Sequence, residues 1–379
     1  MPTNWDTGLI EPLSRLEADI QIYGVLPGSL IGSGGSGPDC VHMAQEQAEE
    51  YITEAHTAGL TFDYVLNAPS MCNMEWKENT HRKLLDHLKW IENAGVDSVT
   101  VTIPYLIELI RRQFPRLKVR LSTIAHVNSV ARARFYESLG VDSITLDVNV
   151  NRDFAVLQAI RKAVSCELTV LTNNLCLYQC PYEYYHHDGL GHASQSCGGP
   201  DGRYADYCIM RCTLDRLSDI SQTIRSRWVR PEDIHVYQDI GIDVFKTSGR
   251  SMSTDRILRS VAAYSSRRYD GNLYDILNVL TPRTGLVSAA SPAARGTAVK
   301  PPDLYIDNRA LEGFLDFFTR QDCLSGCSSC DYCSRIASKA VQFDRAEVDE
   351  YTAMLSASLE GLASSRLLRA GAGVDEHLP

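Results

Sequence analysis

Apolar positions in the first two-thirds of the chain follow two patterns in turn. Short β-rich runs, Ile20–Leu26, Phe62–Asn67, Ser98–Ile103, Lys118–Thr123, Ser143–Val148 and Glu167–Thr172, predict strands. Two weaker runs, Ile234–Tyr237 and Asp243–Thr247, bring the expected strands to eight. Between them lie stretches with helical spacing. Over Asn79–Ala94, Leu84, Leu85, Leu88 and Ile91 share one face, and over Asn128–Leu139 so do Val130, Ala133 and Leu139. Gly95-Val96-Asp97, Gly140-Val141-Asp142 and Gly241-Ile242-Asp243 each end a helix and start an apolar strand, the turn expected of a parallel sheet. This α/β beat predicts a (β/α)8 TIM-type barrel, with an open doubly wound sheet as the alternative.

The pattern fails after Tyr274. The expected organisation is a barrel over 1–275 with a loop at 173–212, a Pro/Ala/Gly/Ser-rich linker over 276–302, and a C-terminal cysteine-rich helical extension over 303–379. Within the extension, Leu311–Phe318 reads as a short apolar helix, Ala346–Leu362 as a longer one, and the end as a frayed tail. Residues Met1 to Ile20 have no apolar core of a signal peptide, and no run approaches the length of a membrane helix, so the expectation is a soluble, cytoplasmic protein.

Charge and cysteine usage then narrow the chemistry. The net charge is −10, and the densest basic stretch, Arg225–Arg230, is short. That favours a small-molecule, peptide or carrier-bound substrate, with a protein partner or a second copy, over nucleic acid. Twelve cysteines in a reducing compartment point to metal rather than disulfides. Cys40, Cys72 and Cys166 are isolated and read as buried small hydrophobes. Cys176-x3-Cys180 follows the sixth strand, and Cys208-x3-Cys212 comes later. A gap of four puts both thiols of a pair on one helical face or turn. Four thiolates suit a 4Fe–4S cluster, with zinc as the rival and Cys197 as an alternative ligand. Cys323-x3-Cys327-x2-Cys330-x2-Cys333 is a second compact set, for a second cluster, zinc or redox-active thiols; its leading spacing also matches the radical S-adenosylmethionine triad.

Other candidates cluster at predicted strand ends, the face where barrels of this kind carry their sites. Lys246 and Arg250, flanking Gly249, suit a carboxylate or phosphate. His186 and His187, close after Cys180, could relay protons or bind substrate. Asn67, His126 and Asn173 follow strands and are expected to line the pocket. The glycine-rich Gly28–Gly37 lacks the lysine of a phosphate-binding P-loop and reads as an active-site loop. Signatures of the common serine and zinc hydrolases are absent.

Leu121-Ser122-Thr123, Phe135 to Val141, Leu175-Cys176 and Phe245-Lys246-x-x-Gly249-Arg250, in that order, resemble the collagenase-like peptidases of family U32 over roughly residues 45–275. The upstream Gly95 to Val99 and Leu106 to Arg111 fit as well. The resemblance implies a 4Fe–4S protein that hydroxylates without oxygen, since such members act on transfer-RNA uridine, ribosomal-RNA cytidine or the ubiquinone ring. It implies that Cys176, Cys180, Cys208 and Cys212 are the cluster ligands. Two departures stand out: Ser248 replaces an acid in the family's Lys-x-Glu-Gly-Arg, and Thr172 replaces a histidine four residues before the first cysteine. The sequence therefore predicts an iron–sulfur redox enzyme with Lys246, Arg250, His186 and His187 at its catalytic centre. An electron-transfer subunit of a larger complex, a peptidase and an RNA hydroxylase are the alternatives.

Overall fold

A computed structural model describes residues 1–26, 28–34, 43–195, 207–282, 300–320, 323, 327 and 329–364. Cys40, Cys197, the end of the glycine-rich run, most of the expected linker and the tail lie outside the described residues.

Seven parallel strands form one sheet in sequential order: β1 (Gln21–Gly24), β2 (Thr61–Leu66), β3 (Ser98–Val101), β4 (Lys118–Leu121), β5 (Ser143–Thr145), β6 (Glu167–Leu171) and β7 (Val244–Lys246). The sheet curls until its edges meet, and Tyr23 Oη of β1 donates to the Thr247 carbonyl just past β7 at 3.0 Å. Each strand alternates. Phe62, Tyr64, Val99, Val119, Ile144 and Leu168 turn outward into the main hydrophobic core. The intervening residues meet on the inner face, which is polar: Asp63 accepts from Ser98 and Thr100 at 2.7 and 2.6 Å, and Ser143 pairs with Thr169 at 3.2 Å.

The outer layer includes α2 (Gln45–Thr57), α3 (Glu78–Asn93), α4 (Pro104–Gln113), α5 (Val130–Ser138), α6 (Phe154–Ala163) and α11 (Thr254–Ser266), with the small α1 (Ile10–Ser14) near the start. The Gly-x-Asp turns do more than end helices. Gly140 takes φ 89°, where a side chain is strained. The aspartate two residues on then accepts a backbone N–H at or beside the start of a neighbouring strand: Asp97 from Phe62, Asp142 from Val119, Asp243 from Leu168, at 2.7–2.9 Å.

The expected seventh strand, Ile234–Tyr237, is instead part of α10 (Ile234–Asp239). Pro231, Glu232 and Asp233 form a 3-10 turn before it, with proline and acids where helix starts favour them. Ile234 and Tyr237, three apart, share the buried face. α7 (Glu183–Ala193), α8 (Tyr207–Ser218) and α9 (Ser221–Arg225) fill the long excursion after β6.

The expected linker begins inside the barrel. Ile276 and Leu277 are fully buried, and Asn278 donates its backbone N–H to Asn173 at 2.7 Å. The expected helix at Leu311–Phe318 is split into a 3-10 turn, Arg309–Leu311, and a helix at Asp316–Arg320, with Gly313 at φ 72° between them. Its apolar residues still dock. Phe314 stacks on Trp228, and Tyr332 stacks on Phe317 at 4.0 Å. A helix over Tyr332–Ala340 follows, then one over Arg345–Ala363 whose Val348, Tyr351, Leu355 and Leu359 pack on Met210 and Leu217 of α8. β8 (Leu304–Ile306) and β9 (Val341–Phe343) pair antiparallel within this region.

Candidate metal centre and barrel mouth

Three groups of side chains lie on the loops and helices that follow β4, β6 and β7. The first is cationic. Lys246 ends β7 with its ammonium 4.2 Å from the centre of the Tyr23 ring. Burial pushes it down to about 8, against the pull of Asp63, with Arg120 and Arg250 pushing the same way as burial. Arg250 lies four residues on, one nitrogen 3.5 Å from Ser33 Oγ, the other buried without a hydrogen-bond partner. Gly249 between them has φ 120°, and a Cβ there would run into Met252.

Asn173 fixes this corner. Its Nδ2 donates to the carbonyls of Ser248 and Ile276, and its Oδ1 accepts from the Ser248 N–H at 2.7 Å and hydroxyl at 3.1 Å. The whole amide is thus committed inside the protein. Asn67 is used similarly: it accepts from Gly34 of the glycine-rich loop and donates to Ser122 after β4. Both place the loops of the mouth. Ser248 is held by Asn173 and Asn278.

The second group is the first cysteine set. Cys176 and Cys180 lie on the turn after β6, and Cys208 and Cys212 sit one turn apart on α8. Arg216, one further turn along, donates to the Leu175 carbonyl at 3.1 Å, and Tyr182 Oη donates to Asp215 at 2.9 Å. These bonds bring α8 against the β6 loop. All four thiols are free. Burial first, then mutual proximity, raises their pKa values, with Cys180 pushed up to about 12 and Cys208 to about 11. Four buried or half-buried thiols from two segments, Cys212 disfavouring the ionisation of the other three, form a donor set that a cation would relieve. Among the described residues no three of these sulfurs lie within 4.8 Å of one another. One zinc ion would draw them to about 3.8 Å, from its usual 2.3 Å bonds.

The third group was only half legible. His126, in the turn after β4 at φ 52°, meets Glu183 and His187 of α7. His186 stacks on His187 but is not part of this group. Burial pushes His186 down to about 4 and His187 to about 3, so both stand neutral at neutral pH. Sequence reasoning missed Glu183; its i, i+4 spacing to His187 was the available signal.

The second cysteine set is partly placed. Cys323 and Cys333 lie near each other, and near Arg152 and Arg227; burial raises Cys333. Cys327 is half-buried and Cys330 exposed. A cavity of about 190 Å³ opens between Cys323 and Tyr178 of the first cysteine loop, walled by Arg152 and Arg227. The Arg227 guanidinium covers the Tyr178 ring at 3.8 Å. Arg227 and Arg230 are buried, so the one dense basic stretch is spent inside the fold. Of the isolated cysteines, Cys166 is half-buried, whereas Cys72 is exposed rather than interior.

A parallel α/β barrel-like sheet with thiols and cations at its C-terminal mouth is the context for the family comparison. The profile of Peptidase family U32 matches residues 41–270, and the chain belongs to that family. It is 33% identical over 306 residues to an uncharacterized protease of Methanocaldococcus jannaschii, across 78% of this chain and 82% of that protein. It is 29% identical over 96 residues to tRNA hydroxylation protein P of Escherichia coli, 25% of this chain and 20% of that protein. Among solved structures, a U32 peptidase superposes with a TM-score of 0.48 at 23% identity, covering 62% of this chain and 85% of that one. The first cysteine set lies within the matched span, and Cys323–Cys333 lies beyond it. Among the described residues no helix is long and apolar enough to cross a membrane.

Proposed function

We propose that this U32 chain is an iron–sulfur redox enzyme that hydroxylates, or otherwise oxidatively modifies, an anionic small-molecule, peptide or carrier-bound substrate without oxygen. The observation that carries this reading is the gathering of four free thiols on the loop after β6 and on α8, with Lys246 and Arg250 at the end of the adjoining strand β7. Cys176, Cys180, Cys208 and Cys212 would hold one 4Fe–4S cluster, which supplies one-electron transfer and a Lewis-acidic iron. The chain's own residues do the rest. The unpartnered Arg250 nitrogen donates to a carboxylate or phosphate oxygen of the substrate. Lys246, poised near neutrality, adds a second charge or holds a proton. Asn173 and Asn278 hold Ser248, so the loop presents both cations together. Buried Arg227 and Arg230 and the net charge of −10 leave nucleic acid a poor partner for this mouth. The test is an anaerobic turnover screen of the purified full chain against small carboxylates, peptides and RNA, with and without the cluster. Turnover of a carboxylate that vanishes on cluster removal supports the reading, whereas activity independent of the cluster refutes it.

A second reading, an electron-transfer subunit, is favoured by Cys323 facing Tyr178 across the cavity, with Cys333 near Cys323. It predicts a reducible centre but no turnover without a partner.

A further inference from the structure

We infer that His126, Glu183 and His187 form a separate binding site for one divalent first-row transition-metal ion, beside the thiol set but not part of it. One ligand atom from each residue lies within 4.8 Å of the others, the only such group among the described residues. Glu183 and His187 are four apart on α7 and so project from one face. His126 reaches them from the turn after β4, its Nδ1 4.0 Å from Glu183 Oε1.

The surroundings are those of a metal site. Asp147 Oδ2 lies 3.3 Å from His126 Nδ1, and a carboxylate beside a liganding histidine fixes its tautomer and orientation. Asn149 Nδ2 bonds Asp147 Oδ1 at 2.9 Å and Glu183 Oε2 at 3.4 Å. The Asn149 Oδ1 accepts from the Gln179 N–H at 2.8 Å, which ties the group to the Cys176–Cys180 turn.

A hydrogen-bonded cluster alone explains less. His187 Nδ1 is buried with no hydrogen-bond partner, and such an orphan costs free energy unless something satisfies it. The carboxylates of Asp147 and Glu183 are 4% and 15% exposed, and among the described residues neither pairs with a lysine or arginine. A divalent cation supplies the missing partner and balances both charges. Two imidazoles and one carboxylate select zinc or ferrous ion over magnesium or calcium, which take oxygen ligands, and three protein ligands leave positions open to water or substrate.

This site stands independently of the iron–sulfur reading, and its test separates the two. The full chain, purified with whatever its thiols hold, is titrated with cobalt(II), with zinc, and anaerobically with ferrous ion. Bound metal is then counted after dialysis. The expected result is one additional equivalent per chain, with a cobalt spectrum of nitrogen and oxygen ligation and no thiolate charge-transfer band. Glu183→Gln and His187→Asn should abolish that equivalent, and Asp147→Asn should weaken it about 10–100-fold. Cys176→Ala should leave it in place. No extra equivalent in the wild-type chain overturns the site. So does a cobalt spectrum whose only bands are thiolate charge-transfer bands, with none from nitrogen and oxygen ligation, a reading that needs no variant and holds even if a substituted chain fails to fold.

Discussion

Replacing Lys246 with methionine probes how the barrel mouth is built. The side chain keeps its length and loses its charge. In the folded chain the ammonium faces Tyr23 of β1, Asp63 of β2, Arg120 of β4, Arg250 after β7 and the Met1 amino group. Enclosure lowers it from its ordinary 10.5 to about 8. The unfolded chain therefore holds this proton more tightly. The stability contributed by a neutral Lys246 is full above about pH 10.5 and is lost as pH falls through about 8. At pH 7 the charged form costs up to about 3 kcal/mol, at about 1.4 kcal/mol per tenfold in proton affinity, and less where solvent reaches it. Asp63 retains Ser98 and Thr100 as donors without the lysine. K246M should thus be as stable as the wild type or more so at pH 7, by about 1–3 kcal/mol, and that margin should shrink toward pH 10. Urea denaturation of both proteins across this range measures it. Destabilisation of K246M by more than about 1 kcal/mol at pH 7 would show that the lysine–Asp63 attraction outweighs burial, and the reasoning would fail.

Arg250→Ala should weaken binding of a carboxylate or phosphate probe by about 1.5–3 kcal/mol, read by calorimetry, with little change in unfolding; unchanged affinity would remove Arg250 from the site. Phe314→Ala should cost about 3–5 kcal/mol, because the ring stacks on Trp228 and Tyr332 under the Arg152 guanidinium; a loss below 1 kcal/mol in denaturation, on the order of a surface change, would mean the C-terminal segment is not docked there. Cys323→Ser with Cys333→Ser should remove any metal held by the second cysteine set while leaving the barrel set loaded, as read by metal analysis. Truncation before Gln321 is a poorer test, since it also strips the helix at Arg345–Ala363 from α8.

Much of the barrel was legible because its strands carry their own signal. Six early strands and β7 lie where the apolar runs and the Gly-x-Asp turns put them. Ile-His-Val-Tyr at 234–237 alternates like a strand, but the Pro-Glu-Asp before it commits the backbone to a helix. The polar inner face was not legible, since Asp63 and Arg120 in strands look like ordinary edge or surface charges until the sheet curls around them. The site divides along similar lines. Two C-x3-C pairs announce themselves by spacing. Arg216, which brings them together, is one arginine among many in a helix. Asn67 and Asn173 follow strands as expected, yet their amides are spent on loop placement, which only the partners reveal. Glu183 and His187 share a local i, i+4 spacing, but joining that pair to His126 and Asp147 needed the fold.

The central claim is that Cys176, Cys180, Cys208 and Cys212 hold one 4Fe–4S cluster. Iron and acid-labile sulfide are counted in the anaerobically purified full chain and in the variant with all four cysteines changed to alanine, after circular dichroism shows both folded. The account predicts that the substitution removes about four irons and about four sulfides per chain, one cluster's worth. Iron and sulfide that stay unchanged in the folded variant would contradict it.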